Sequence, residues 1–194
     1  MKSDIGSRIM NSNAVRIRVS EDGDRERILA VHRNAFGDEE GPVIANLVEE
    51  MLADPTGKPI FSLIAERGGD LVGHVLFTSA TLDSNDEVSA QILAPLAVTR
   101  DQHGQGTGSR MVKDGFAHLE EAGVELVFVL GYPDYYSRFG FAPAGARGFQ
   151  APYPILPKNA DAWMVHELSP GAIKKYDGTV RCSKALDQPQ YWQE

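Results

Sequence analysis

The sequence has one cysteine, Cys182, and no apolar run long enough to cross a bilayer. A single thiol excludes an internal disulfide framework and fits a reducing compartment. Cys182 lies in a polar C-terminal stretch with no histidine near it in sequence, which suits a structural cysteine better than a nucleophile. Positive charge is also short. Nineteen Lys and Arg against 27 Asp and Glu leave a net charge of −8, with histidine neutral. Broad nucleic-acid binding needs a basic face that displaces counterions from phosphates, so that class is disfavoured. None of the five histidines forms a close ligand pair with another or with Cys182, so no metal is expected. Residues 1–14 are polar and lack the apolar segment of a signal peptide, which makes a flexible tail and a cytoplasmic location the expectation.

What is present is an ordinary globular composition, 42% hydrophobic and 24% charged, in 194 residues. A chain of that length buries roughly 70% of its unfolded surface, enough to build a closed cleft. We expect one domain over 15–168 and a C-terminal extension, 169–194, packed on it.

Val15 to Val19 reads as a short strand, followed by helix-capping residues at 20–24. Ile28, Val31 and Ala35 recur at helical spacing. After a break at Gly37 to Gly41, a second helix carries Val43, Leu47 and Met51 and ends at Asp54-Pro55. Phe61 to Glu66, Leu71 to about Leu82 and Ala90 to Val98 predict three strands of an antiparallel meander. A helix from Gly106 to Ala122, stopped by Gly123, and a strand from Glu125 to Leu130 complete a right-handed parallel unit with the third meander strand. A short helix at Pro133 to Phe139 and a strand at Ala162 to Leu168 follow. The fold class is therefore α/β with a mixed sheet. Helices are expected on both faces, and only one crossover is parallel.

The chemistry concentrates at His103-Gly104-Gln105-Gly106-Thr107-Gly108-Ser109, between strand and helix. There the first unpaired N–H groups and the positive end of the helix dipole favour an anion such as a diphosphate. Glycines let the main chain approach phosphate oxygens closely. Arg100, Arg110 and Lys113 are cations near enough in sequence to add charge. A P-loop is excluded, because Ser109-Arg110 stands where Lys-Ser/Thr is required. A dinucleotide turn would follow the first strand of a parallel unit, not an antiparallel meander. Pro95, inside an apparently central strand, removes a ladder hydrogen bond and points to a bulge.

In this order, the strand Leu96-Ala97-Val98, the turn His103-x-x-Gly106-x-Gly108 and the segment Tyr135-Tyr136-Ser137-Arg138-Phe139-Gly140-Phe141 resemble the GNAT superfamily of N-acetyltransferases, over about residues 16–168. His103 stands where that family usually has glutamine or arginine. The resemblance implies acetyl-CoA as cosubstrate, with its diphosphate at His103, Gly104, Gln105, Gly106, Gly108 and Ser109 and its thioester beside Leu96, Ala97 and Val98. It also implies a bulged strand that splays from its neighbour to admit the pantetheine arm.

By the same resemblance Tyr136 is the acid that protonates the departing thiolate, a transfer that is roughly matched for a phenol of pKa near 10. The acceptor is then an amine on a small molecule or peptide, attacking directly, with no nucleic-acid or membrane partner. Relatives are often monomers or dimers, so the resemblance implies a monomer or homodimer. Many of them carry a glutamate on the strand equivalent to 90–98, and this sequence has none there. His74, Asp134 and Glu40 are the candidates for the base. A second reading, a non-catalytic acyl-CoA-binding sensor or partner module, keeps the turn but does not need Tyr136.

Overall fold

The computed structural model describes residues 14–192, so the expected N-terminal tail lies outside the described residues except for Ala14. The chain enters through β1 (Arg16–Val19) and a 3-10 turn into α1 (Arg25–Ala53). Asp24 ties the two together. Its carboxylate accepts from the Glu21 backbone N–H at 2.9 Å and from the Arg18 guanidinium at 2.7 and 2.9 Å, while Arg18 also donates to Glu66. The Arg18 bonds hold the Asp24 carboxyl down at about 2. The sequence predicts two helices separated by a five-residue break. In the structure the break is one residue, Gly37 at φ 81°, and helical geometry resumes directly after it. The Arg100 guanidinium lies against Gly37, so a side chain there would meet a disfavoured φ and would have to displace the end of Arg100.

The meander is β2 (Phe61–Arg67), β3 (Asp70–Leu82) and β4 (Asn85–Val98). It is followed by α2 (Thr107–Glu121) and β5 (Leu126–Leu130), which runs parallel to β4. α3 (Pro133–Tyr136), β6 (Ala142–Pro143), β7 (Phe149–Gln150), β8 (Trp163–Glu167), α4 (Ala172–Lys175) and β9 (Gly178–Arg181) complete the elements. The main sheet runs β1-β2-β3-β4-β5-β8-β6, antiparallel except at β4/β5. The sequence does not mark β6, β7 and β9: β6 and β7 have two residues each, too short to show a period, and β9 is defined by its pairing with β3 and β7.

Alternation along the strands serves a helix on each face. Leu63, Val75, Phe77 and Leu93 bury against Met111, Val112 and Phe116 of α2. Ile64, Leu71 and Ala97 bury against Ile28, Leu29 and Val48 of α1. A further cluster joins Phe128, Phe149 and Trp163 to Leu186 and Trp192. The last segment is held in place by Asp54, which accepts from the Ala185 N–H at 2.8 Å, and by Thr56, whose hydroxyl accepts from the Lys184 N–H at 2.9 Å.

Two irregularities in β4 open the sheet. Val75 faces Leu96 and Phe77 faces Leu93, so Ala94 and Pro95 together oppose Leu76, a bulge centred on the proline. On its other edge β4 pairs with β5 only at Ala90, Gln91 and Ile92. Beyond Ile92 the two parallel strands part.

Candidate active site

The parting strands form the floor of a cavity of about 1190 Å³. One end is the glycine turn. Gly104 and Gly106 take φ of 74° and 78°, which a Cβ would hinder, and Gly106 caps α2 without a side chain. The first intrahelical bond is donated by Arg110 N–H to the Gly106 carbonyl at 3.0 Å, so the amides of 107–109 start the helix without helical partners. Gly108 is needed for a different reason. A Cβ there would lie 2.7 Å from the Tyr135 hydroxyl.

Leu96, Val98, His103, Gly104, Gly106 and Gly108 line the cavity, as does Ser109. Two expected site residues do not. Ala97 is 2% exposed and turns its methyl into the α1 core. Gln105 instead bonds Arg67 and the Asp101 carbonyl. The His103 ring is within 2.8 Å of the Val98 carbonyl, where a ring N–H donates and fastens the turn to the end of β4. The expected cations also differ. Arg110 donates to the Val15 carbonyl at 3.0 Å, Arg100 abuts Gly37, and neither lines the cavity. Among the described residues, the Lys or Arg that lines it is Arg138, stacked 4.5 Å over the Tyr135 ring.

The opposite wall follows β5. Tyr136 lines the cavity and is 8% exposed, with its ring edge-on to Tyr135 at 5.0 Å and to Phe141 at 5.6 Å. The ring approaches so close to Gly131 that a Cβ there would meet it at 2.5 Å. Tyr135 is half-buried, and burial raises its phenol above the ordinary range.

Of the three sequence candidates for a base, Glu40 alone lines the cavity; Asp134 is exposed outside the lining. His74 is wholly buried, bonded to Ser62 at 2.9 Å and to His32 at 2.7 Å, and burial holds both histidines well below their usual range. Burial, then Asp187, pushes the Cys182 thiol up to about 12, which leaves no reactive thiolate at neutral pH.

Sequence reasoning missed several lining residues. Thr107 has a buried hydroxyl, 2% exposed and without a protein partner, at the first helical position of α2. Glu39 of α1 and Leu186, Tyr191 and Trp192 of the C-terminal segment also line the cavity. Thr107 stands inside the glycine turn, whereas no local motif marks the others, which meet only in the folded chain.

Comparison with known proteins gives consistent findings. A family model described as an acetyltransferase (GNAT) domain matches residues 16–144. The chain is 39% identical over 167 residues to the uncharacterised N-acetyltransferase YjhQ of Escherichia coli, covering 85% of this chain and 90% of that protein. The structure of the Escherichia coli N-acetyltransferase YhbS in complex with CoA is similar at a TM-score of 0.81 and 29% identity, over 91% of this chain and 93% of that one. An acetyltransferase of Brucella melitensis, solved with acetyl-CoA, shares the fold at a TM-score of 0.69 and 23% identity, over 90% of this chain and 99% of that one.

Proposed function

The chain belongs to the GNAT acetyltransferases and is an acetyl-CoA-dependent N-acetyltransferase, and on that premise we propose that it transfers the acetyl group directly to a primary amine in a ternary complex, with Tyr136 as the acid. The observation that carries this reading is the separation of β4 from β5 beyond Ile92, with the glycine turn at one end and Tyr136 on the facing wall. The residues present fit the cosubstrate. Nothing lies within 4 Å of where a Cβ would stand on Gly104 or Gly106, so the turn's backbone is open to a ligand, and the Thr107 hydroxyl, without a protein partner, sits beside the free amides of the first turn.

The amides of 107–109 and the Thr107 hydroxyl hold the diphosphate, assisted by the dipole of α2. Gly104 and Gly106 let the backbone of the turn come close to it, and His103 keeps the turn docked on β4. Backbone groups of Leu96 to Val98 face the thioester and polarise its carbonyl as negative charge develops on the oxygen. The neutral amine nitrogen forms a bond to the acetyl carbon, the carbon–sulfur bond breaks, Tyr136 gives its hydroxyl proton to the sulfur, and the N–H proton shed as the amide forms passes to solvent, from which the Tyr136 phenolate is re-protonated. An alkyl amine is neutral in only about one molecule per thousand at pH 7, so it must shed a proton before attack.

The test is release of free thiol from acetyl-CoA on addition of a panel of primary amines, with the acetylated product confirmed by mass. Thiol release that requires the amine supports direct transfer. Thiol release at the same rate without an amine, or none with any amine, overturns it.

A further inference from the structure

We propose that the closed end of the cavity, where β4 and β5 part, is an acyl-chain site, and that the protein takes short straight-chain acyl groups longer than acetyl, butyryl and hexanoyl among them, from their CoA thioesters. This rests on the acetyl-transfer reading, which sets the thioester beside Leu96 to Val98.

The sheet register fixes where the cavity closes. Ile92 and Phe128 are the last partners of the parallel pair, and directly beyond them Leu93 and Ala94 on one strand and Leu130 on the other line the cavity. On the side that α1 covers, Leu47, Ile92, Leu186 and Trp192 belong to one buried cluster with Ala94 and Leu130 packed against it, and all six line the cavity. On the side that α2 covers, Leu93 and Tyr136 belong to the other core cluster and line it too. The closed end is therefore apolar on both faces of the sheet. Leu96, beside the thioester, is four residues from Ile92, which is roughly 13 Å of extended chain. An acetyl group fills a small part of that length.

Charge is kept from this end. α1 runs along the cavity: Gly37 lies against Arg100 just before the glycine turn, Glu39 and Glu40 follow it, and Leu47, roughly 10 Å along the axis from Glu40, joins the cluster around Ile92. Arg138 stacks on Tyr135, whose hydroxyl reaches the first turn of α2. With histidine neutral, these three are the formal charges among the described lining residues, and all stand toward the turn. The apolar wall is also fixed. Trp192 donates to the Leu186 carbonyl at 3.0 Å and packs edge-on to Trp163 at 5.6 Å, and the Asp54 and Thr56 bonds anchor the segment upstream. A wall held this way does not collapse onto the space that an acetyl group leaves, so a longer chain gains by filling it.

The bonds exchanged are those of acetyl transfer. The amine nitrogen joins the acyl carbon, the carbon–sulfur bond breaks, the Tyr136 proton goes to the sulfur and the proton shed by the nitrogen goes to solvent. Only the chain on the acyl carbon differs.

Calorimetric titration with CoA, acetyl-CoA, butyryl-CoA and hexanoyl-CoA tests the site without an acceptor. Kd is expected to fall at least about tenfold from acetyl-CoA to hexanoyl-CoA, where full burial of each added methylene would contribute about fourfold. Ala94→Phe fills the slot from β4 and Leu130→Phe from β5. Each should bring hexanoyl-CoA to within about threefold of acetyl-CoA while the Kd for CoA itself stays within about twofold, which also reports that the variant has folded. A Kd that is flat or rises with chain length overturns the inference, as does a gain that survives both variants. Thiol release with the amine panel keeps the two readings apart. A chain-length gain with no amine-dependent release from any donor leaves the acyl-chain site standing and removes the transfer. Release from acetyl-CoA but not from butyryl-CoA leaves the transfer standing and removes the inference.

Discussion

The hydroxyl of Tyr135 occupies the space that a side chain on Gly108 would need, at 2.7 Å from the position of its Cβ. The tyrosine pair after β5 and the first turn of α2 are therefore in contact, and the shape of the diphosphate end depends on both. Gly108→Ala is expected to displace Tyr135 and weaken CoA binding about tenfold, since several weak helix-end contacts must act together. Gly106→Ala differs in cause. Nothing lies within 4 Å of a Cβ there, but its φ of 78° costs an L residue about 1–2 kcal/mol. Calorimetric titration of CoA and thermal melts of both variants check this, with Gly106→Ala losing stability by a backbone effect alone.

Gly115 gives a stability prediction remote from chemistry. A Cβ on it would lie 2.5 Å from the Phe77 ring, which is fully buried between β3 and α2. Gly115→Ala overpacks this contact and should destabilise the fold by about 1–3 kcal/mol despite the better helix propensity of alanine. Adding Phe77→Leu should recover part of the loss, and denaturant melts of the single and double variants measure the coupling.

The His32–His74 pair makes stability depend on pH. Burial lowers both pKa values in the folded protein, while the unfolded chain takes up protons near pH 6.5. The unfolded state binds more protons below that pH, so the stability contributed by the neutral pair is present above about pH 6.5 and lost as pH falls beneath it. The slope is about 1.4 kcal/mol per pH unit for each histidine. Melts between pH 8 and 5 should show the fall, and His32→Gln should reduce proton uptake on unfolding by about one.

How far the sequence reveals this molecule depends on how local each signal is. Gly106 and Gly108, followed by an amphipathic α2, announce a strand-turn-helix anion site within a dozen residues, and Pro95 announces the bulge because proline cannot complete a sheet ladder. The meander and α2 are long enough for their periods to show. β6 and β7 are not, and β9 is defined by its tertiary pairing. The cations beside the turn show the same limit: Arg110 is close to the turn in sequence, whereas its position on α2 sends its side chain to the Val15 carbonyl. Glu39 and Trp192 carry no local signal, since their common cavity exists only after the C-terminal segment is pinned to Asp54.

The central claim is that Tyr136 supplies the proton to the leaving thiolate, and its most direct test is the turnover of Tyr136→Phe measured beside its CoA affinity, with Tyr135→Phe in parallel. The account predicts that Tyr136→Phe lowers kcat about a hundredfold and leaves the Kd for CoA within about twofold. Tyr135→Phe, whose hydroxyl borders the glycine turn, should act on CoA affinity instead. An unchanged kcat in Tyr136→Phe, with the large loss appearing in Tyr135→Phe, would contradict it.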